Sequence, residues 1–440
     1  MRALVSRGLR VTPFKKGPDY IDAGWLASAA GRPCYNLDPF LVGEDRLTAS
    51  FAAHSEGSQV AVIEGNRGVF DGMDAAGSMS TALVARVLKS PVLLILDCSK
   101  ATRTLAAVLR GVEGFEGGLR LAGVVLNQIA GARHEAVIRE SIGRYCRTPV
   151  VGAIPRLRGR ELPERHMGLT PWQEHPEVEA AISQTAEAME KYLDIEGILA
   201  AARRAPALAP PAPAPLPPRT GAGLRVGVIR DSAFQFYYPE NFEELERRGA
   251  SVVDISALAD RALPDIDALY IGGGFPETHA IALSRNEAFR RSLRRAVAKG
   301  LPVYAECGGL MYLGRSLVVD DAEYPMAGVF PVTFRLHRRP QAHGYTVVRV
   351  AGKNPFYRKG TVLRGHEFHY SRALEEALPR GTEAVFAMER GAGVFEGADG
   401  LLTRSVLATY THLHALGSPE WAEGVIRAAR AYRRARRRPA

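Results

Sequence analysis

Four cysteines in 440 residues, Cys34, Cys98, Cys146 and Cys307, are too few and too irregularly spaced for a disulfide framework or a zinc site. A reducing cytoplasm is the compartment that fits them. No apolar run approaches the ~20 residues needed to cross a bilayer, and the first residues lack the charged-then-apolar pattern of a secretory leader. A soluble, cytoplasmic protein with no membrane partner is therefore expected. Short-period repeats are also missing, which argues against a solenoid. Hydrophobic residues at 46% and charged residues at 24% are ordinary for a folded chain, and 440 residues exceed one ordinary core. Two domains are the starting expectation.

Much of the net charge of +10 sits in the terminal stretch RAARAYRRARRRPA, from Arg427 to Ala440. A solvated end after the last amphipathic segment accounts for it, although binding to a polyanion is an alternative. No nucleic-acid-binding motif accompanies it, so nucleic acid is not expected as a partner.

Between residues 201 and 223 runs AARRAPALAPPAPAPLPPRTGAG, whose Pro and Ala cannot bury a core and favour an extended connector. Upstream, the apolar runs LRVTPF (9–14), QVAVIEG (59–65), PVLLILD (91–97), LAGVVLN (121–127) and PVVGAIP (149–155) alternate with helix-patterned segments such as HEAVIRESIGRY (134–145). Runs apolar throughout and separated by helices predict a parallel sheet covered on both faces. The pattern restarts downstream with LRVGVIRD (224–231), ASVVDIS (250–256), IDALYIGGG (266–274) and PVYAEC (302–307), and later strands are less regularly interleaved with helices. A second, mixed-sheet α/β domain follows.

The stretch PVYAECGGLMYLG (302–314) places Cys307 between a buried strand and the opening of a helix. A sharp strand-to-helix turn exposes a nucleophile, two glycines allow close approach of a substrate to the backbone, and a helix N-terminus lowers a thiol's pKa. The plainer alternative is a buried structural cysteine. A thiol nucleophile needs a base, and the residues leave it open among the histidines of GHEFHYS (365–371) and ATYTHLH (408–414). IGGGFPE (271–277) ends a buried strand in a glycine-rich turn whose amides can serve an oxyanion, or simply make a strand-to-helix connection.

Taken together, YIGGGFPE, YAECGGLMYL, GHEFHYS and YTHLH occur in an order and context that resemble the glutamine amidotransferase domain of cobyrinic acid a,c-diamide synthases. The resemblance implies that Cys307 attacks the side-chain amide of L-glutamine and that His412 is the base, ahead of His369 and His414. It implies that Gly273, Gly274 and Gly308 line the oxyanion and glutamine site. Many related glutaminases place a carboxylate two residues after this histidine; here that position is His414, so no third member is assigned. The N-terminal half resembles the same family through PFKKGPDYID (13–22) and EGNRGVFDGM (64–73). There the resemblance implies a site for ATP and Mg2+, with Asp19 and Glu64 near the metal, Lys15 near phosphate, and Asp22 and Asp71 near the acceptor carboxylate or arriving ammonia. Acids at the carboxyl ends of parallel strands suit such a role. VVLNQI (124–129) resembles the base-recognition strand end, with Asn127 on adenine, and ERHMGLTP (164–171) matches a segment of no derivable role.

One departure stands out. Members of the family open with a strand and a G-x-x-x-x-G-K-[ST] phosphate loop, and this sequence contains no such string. It begins MRALVSRGLRV, which resembles the tail of the helix after that loop. A start assigned too late is the expectation, and loss of nucleotide binding the alternative. As written, the chain is expected to bind ATP poorly and to expose a sheet edge. The expected architecture is thus α/β in both halves. Residues 1–200 form a P-loop NTPase-like (dethiobiotin-synthetase-like) parallel-sheet domain lacking its first strand and loop. Residues 201–223 connect it to a class I glutamine amidotransferase-like domain over 224–440. The expected function is ATP- and glutamine-dependent amidation of the a- and c-carboxylates of a cobyrinic acid-type tetrapyrrole. A homodimer is compatible with it. Amidation of sirohaem or Ni-sirohydrochlorin, which AHGYT (342–346) and DCSKATRT (97–104) leave open, is the alternative, as is a non-catalytic tetrapyrrole-binding homologue.

Overall fold

The computed structural model describes residues 1–157, 164–165, 168–208, 217–395 and 397–437. The segment 164–171 and the expected connector 201–223 therefore lie partly outside the described residues. Contacts divide the chain into two compact units, Met1–Pro39 with Gly43–Pro213, and Phe40–Val42 with Ala214–Ala440. The helix Ile195–Arg203 runs into the stretch read as connector, capped by Asp194, whose Oδ1 accepts from Gly197 N at 2.9 Å, and anchored by buried Leu199.

In the first unit the apolar runs all become strands: β1 (Val11–Lys16), β3 (Val60–Glu64), β4 (Val92–Asp97), β5 (Leu121–Ile129) and β6 (Val150–Pro155), joined by the short β2 (Tyr35–Leu37). Every pairing among them is parallel. They form two three-stranded sheets, β2-β1-β3 and β4-β5-β6, rather than one continuous sheet. β1 is buried along its whole length, whereas β4 leaves Leu93 36% and Ile95 65% exposed. Among the described residues no strand bonds the outer edges of β3 and β4, so the expected open edge exists there. β7 (Glu164–Arg165) and β8 (Gly168–Leu169) make a separate antiparallel ribbon.

The second unit is built on a ten-stranded mixed sheet. β9 (Arg225–Ile229), β10 (Ser251–Ile255), β11 (Ala268–Ile271) and β12 (Val303–Glu306) are parallel. β13 (Ser316–Val319), β14 (Ala322–Pro325), β15 (Thr333–Leu336) and β18 (Ser371–Ala373) form a small side sheet. The main sheet continues through β16 (Ala342–Val350), β17 (Val362–His369), β19 (Glu383–Arg390), β20 (Ala398–Thr403), β21 (Val406–Thr409) and β22 (His412–Leu413), in the order β10-β9-β11-β12-β21-β20-β19-β16-β17-β22.

That order places the site. β21 lies beside β12 in the middle of the sheet, while β22 closes it beside β17. Only residues 410 and 411 separate β21 from β22, a span of roughly 10 Å from Thr409 to His412. The antiparallel strands must therefore curl until β17 returns next to β12. Helices cover both faces: Leu269 and Ile271 pack with Phe289, Leu293 and Leu310 on one, while Tyr270 packs with Leu245, Trp421 and Val425 on the other.

The helix Glu287–Ala298 shows the local logic. Asn286 Oδ1 accepts from Phe289 N at 3.3 Å, Phe289, Leu293 and Val297 face the core at four-residue spacing, and Gly300 at φ +90° ends the run. The arginines of the terminal helix Glu420–Arg437 are partly used within the fold: Arg427 donates to Phe356 O, Arg433 to Gly223 O, and Arg436 pairs with Asp265 at 2.7 Å.

The exposed edge of β4 is a template for unwanted strand pairing. Ile95→Lys removes no core contact, so concentration-dependent light scattering is expected to fall while the thermal midpoint stays unchanged. Undiminished scattering would show that the β4 edge does not self-associate.

Candidate active site

Cys307 stands between β12 and the helix Gly308–Leu313 at φ +46° and ψ −100°, a conformation that side-chain-bearing residues rarely adopt. Cys307 N donates to Thr409 O at 2.8 Å, Met311 N donates to Cys307 O at 3.0 Å, and Gly309 N donates to Gly272 O at 3.0 Å. The strand, the helix and the neighbouring turn thus hold the strained residue from three sides. A Cβ on Gly309 would meet Ile271 O at 2.6 Å, and one on Gly308 would meet Gly274 N at 3.0 Å. Both glycines are needed to seat the elbow against the turn at 271–276, where the sequence suggested close approach by a substrate.

Cys307 is 5% exposed as a residue. Burial pushes its pKa up, Glu277 adds to this, and the Gly308 amide opposes it without prevailing. The lowered thiol pKa expected from the helix N-terminus is therefore corrected: a six-residue helix end does not offset desolvation this complete.

His412 lies at the start of β22, opposite His366 of β17, and their rings are 4.9 Å apart. Its Nδ1 is 3.8 Å from Glu306 Oε2. Its other edge faces the glycine turn, since a Cβ on Gly273 would lie 2.5 Å from His412 Cε1 and 3.4 Å from Nε2. His366 is buried and its pKa is held well below the usual value, by burial first and then by His412 and His343. The other two candidate bases are committed elsewhere. His369 donates from Nδ1 to Ser371 O at 2.8 Å, stacks on Tyr410 at 3.6 Å and has Nε2 3.6 Å from Glu367 Oε2. His414 accepts from Leu416 N at Nδ1 and turns Nε2 toward Glu240 Oε1 at 3.4 Å. The structure thus packs Gly308 of the Cys307 elbow against Gly274, sets His412 against Gly273 with His366 and Glu306 beside its ring, and points the thiol at Phe368 O at 4.0 Å; neither Glu306 nor His366 was assigned a role from the sequence. Both stand inside quoted motifs, but only the curl of the sheet reveals what they face.

Asp399 secures the turn before His412. It is fully buried, and its carboxylate accepts from Gly400 N, Tyr410 N, Thr411 N and the hydroxyls of Thr409 and Thr411. Asp399→Asn would aim an amide donor at other donors and is expected to cost about 1–3 kcal/mol in urea denaturation. An unchanged midpoint would remove Asp399 from this role.

In the first unit the acids collect around one amine. Lys15 Nζ, 3% exposed as a residue, donates to Asp22 Oδ2 at 2.7 Å and lies 3.5 Å from Glu64 Oε1. Burial pulls the Lys15 pKa down, but Glu64, Asp22 and Asp19 outweigh it and the net shift is upward. Burial raises Asp19, reinforced by Asp22, and burial also raises Glu64 against the pull of Lys15. Asp19 Oδ1 accepts from Asp22 N at 2.8 Å and so shapes the start of the helix Ile21–Ala30. Asp71 and Asn127 do not join this cluster. Asp71 turns back on Gly68 N at 3.0 Å, and Asn127 lies on β5 in the other sheet, its side chain accepting from Gln128 N. Among the described residues no group of three or more side chains is arranged to hold a metal ion; Lys15 occupies the middle of the acids instead. Among the described residues no helix is long and apolar enough to cross a membrane.

Two family models match the chain: the CobQ/CobB/MinD/ParA nucleotide binding domain over residues 1–169 and the CobB/CobQ-like glutamine amidotransferase domain over residues 225–420. Cobyrinate a,c-diamide synthase of Magnetococcus marinus is 42% identical, across 97% of this chain and 92% of its own length. The enzymes of the same name from Archaeoglobus fulgidus and Methanothermobacter thermautotrophicus are each 38% identical, across 98% and 97% of this chain and 93% and 94% of theirs. A solved glutamine amidotransferase covers 46% of this chain and 98% of its own at 21% identity and a TM-score of 0.34, too slight a likeness to add weight. Matched over nearly its whole length, the chain belongs to the cobyrinate a,c-diamide synthase family.

Proposed function

We propose that this protein amidates the a- and c-carboxylates of cobyrinic acid, or of hydrogenobyrinic acid, taking nitrogen from glutamine and energy from ATP. The observation that carries the reading is Cys307, a thiol at positive φ on a strand-to-helix turn, packed against a glycine turn that also faces His412. Family membership and the acidic cluster at the ends of β1 and β3 support the rest.

His412 Nε2 takes the proton from Cys307 Sγ, and the sulfur attacks the amide carbon of glutamine. This base is necessary because burial keeps the thiol protonated at neutral pH. Amides of Gly273, Gly274 and Gly308 receive the developing oxyanion. The carbon–nitrogen bond then breaks, the imidazolium returns its proton to the leaving nitrogen as ammonia, and water hydrolyses the glutamyl thioester to glutamate.

In the first unit an oxygen of the acceptor carboxylate attacks the γ-phosphorus of ATP, the bond to the β-phosphate oxygen breaks, and an acyl phosphate forms as ADP leaves. Ammonia attacks that carbon, an amide forms and inorganic phosphate leaves. Lys15 offers charge to phosphate oxygens, and Asp22 receives a proton from the incoming ammonia. Asp71 assists at the acceptor carboxylate and Asn127 at the adenine edge. Asp19 and Glu64 suit Mg2+, which commonly takes one or two carboxylates and leaves its other positions to phosphate and water, and which would neutralise phosphate charge there.

Two substitutions test the division of labour, with product mass read after incubation with cobyrinic acid, ATP and Mg2+. Cys307→Ala is expected to lose at least about 1,000-fold with glutamine as donor and to keep its turnover with concentrated ammonium salt. Loss with both donors would refute the assignment of Cys307 to ammonia release alone. Glu64→Gln is expected to fall by about 10- to 100-fold with either donor; undiminished turnover would remove it from the activating site.

A further inference from the structure

We propose that Glu306, the residue immediately before the nucleophile, is the carboxylate that positions His412. This deepens the reading above and rests on it for the roles of Cys307 and His412. The carboxylate is fully buried and fixed at both oxygens: Leu413 N donates to Oε1 at 3.1 Å and Tyr270 OH donates to Oε2 at 2.8 Å. Oε2 is also the atom 3.8 Å from His412 Nδ1. Asn241 completes the frame, donating to Leu413 O at 3.0 Å and to Tyr270 OH at 3.4 Å and accepting from Ala415 N at 2.7 Å. Four separate stretches of chain thus converge to set one carboxylate oxygen beside one ring nitrogen.

The position two residues after His412 cannot supply this group. His414 carries no negative charge, and its own Nδ1 is occupied as an acceptor while its Nε2 faces Glu240. At 3.8 Å the Nδ1–Oε2 pair is an electrostatic contact longer than a hydrogen bond; closing that gap would hold the proton on Nδ1 and leave Nε2, on the Gly273 side, as the acceptor for the thiol proton. The carboxylate also stabilises the imidazolium that forms. Other titratable neighbours include His366 on β17, facing the His412 ring, Glu277 and Glu367, which act on Cys307, and the buried phenols of Tyr237 and Tyr304 near Glu306 and of Tyr410 near Cys307.

Glu306→Gln keeps the shape but offers an amide N–H toward Nδ1, favouring the tautomer whose proton sits on Nε2. Two readouts are taken: glutamine hydrolysis, and the rate of Cys307 alkylation by iodoacetamide against pH, followed by peptide mass. Expected is a fall in glutamine kcat of about 100-fold or more with little change in KM. The acid limb of alkylation should move to lower pH, because the imidazolium loses its carboxylate. A purely structural role would not move that limb in a folded variant. A folded Gln variant with the wild-type limb and kcat overturns the proposal. Should the Gln variant fail to fold, Glu306→Asp retains the charge one methylene shorter; a shifted limb there supports the assignment and an unmoved one overturns it. If Cys307→Ala hydrolyses glutamine as well as the wild type, the proposed function itself fails, whereas the alkylation profile still decides on Glu306, since it needs no substrate.

Discussion

The second unit turns on one residue held where its backbone would not go unaided. Cys307 at φ +46° carries roughly 1–3 kcal/mol of conformational strain, and its surroundings are arranged to keep it there. Pairing of β12 with both β11 and β21 fixes the approach, the amide of Cys307 is tied to Thr409, and the following two glycines let the helix start in van der Waals contact with the turn at 271–276. Any side chain at Gly309 would overlap Ile271 O, so the elbow and the glycine turn exist only together. Cys307 keeps the face of Val303 and Ala305, and the positive φ turns the chain after it into the helix that starts at Gly308.

Two buried charge problems are solved in opposite ways. Around Cys307 the surroundings are apolar or negative, so the thiol stays neutral, and chemistry requires a base placed to take the proton at the moment of attack. Around Lys15 three carboxylates outweigh desolvation and keep the amine charged. The acids are affected in turn: burial lifts the pKa of Asp19 and Glu64, and Lys15 opposes that rise. Three carboxylates outnumber the single amine, so a cation arriving there would compete with Lys15 for the same oxygens. That competition accounts for the absence, among the described residues, of a ready-made three-ligand metal group.

Much of the architecture was legible from the chain alone because apolar residues dominate most of the parallel strands, a signature that persists in β4 although Leu93 and Ile95 are exposed there. The elbow was legible for a different reason: Ala-Glu-Cys-Gly-Gly joins a strand run to a helix run with no room for a loop. Less was legible where partners come from afar. Asp71 and Asn127 stand in motifs as suggestive as those of Lys15 and Glu64, and the motifs alone do not show that Asp71 accepts from Gly68 N or that Asn127 lies on the other three-stranded sheet. The thiol's pKa was misjudged because the sequence displays the helix that follows but not the fourth side of the pocket. The division of the first unit into two sheets was invisible too, since it depends on which edges find partners and not on how apolar each strand is.

The same edge explains how two adjacent residues can serve one imidazole. In a regular strand Glu306 and its successor would point to opposite faces, and Glu306 does follow the pleat, joining Tyr270 on the face packed against Trp421. Cys307 belongs to the opposite core, with Ile271 and Leu310. An imidazole lying on either face would meet only one of them. β22 avoids this by crossing the end of the sheet: His412 turns Nδ1 toward the face of Glu306 and its far edge toward Gly273 and the elbow. His412 thus sits at the carboxyl edge of β12 with Glu306 on its Nδ1 side and Gly273 on the other, the placement on which the proposed roles rest. A carboxylate two residues along β22 would approach that ring from its own strand and would need the space now filled by Glu240, His414 and Tyr238. In the proposed arrangement Glu306 and Cys307 share the end of β12, so whatever shifts the elbow shifts both together.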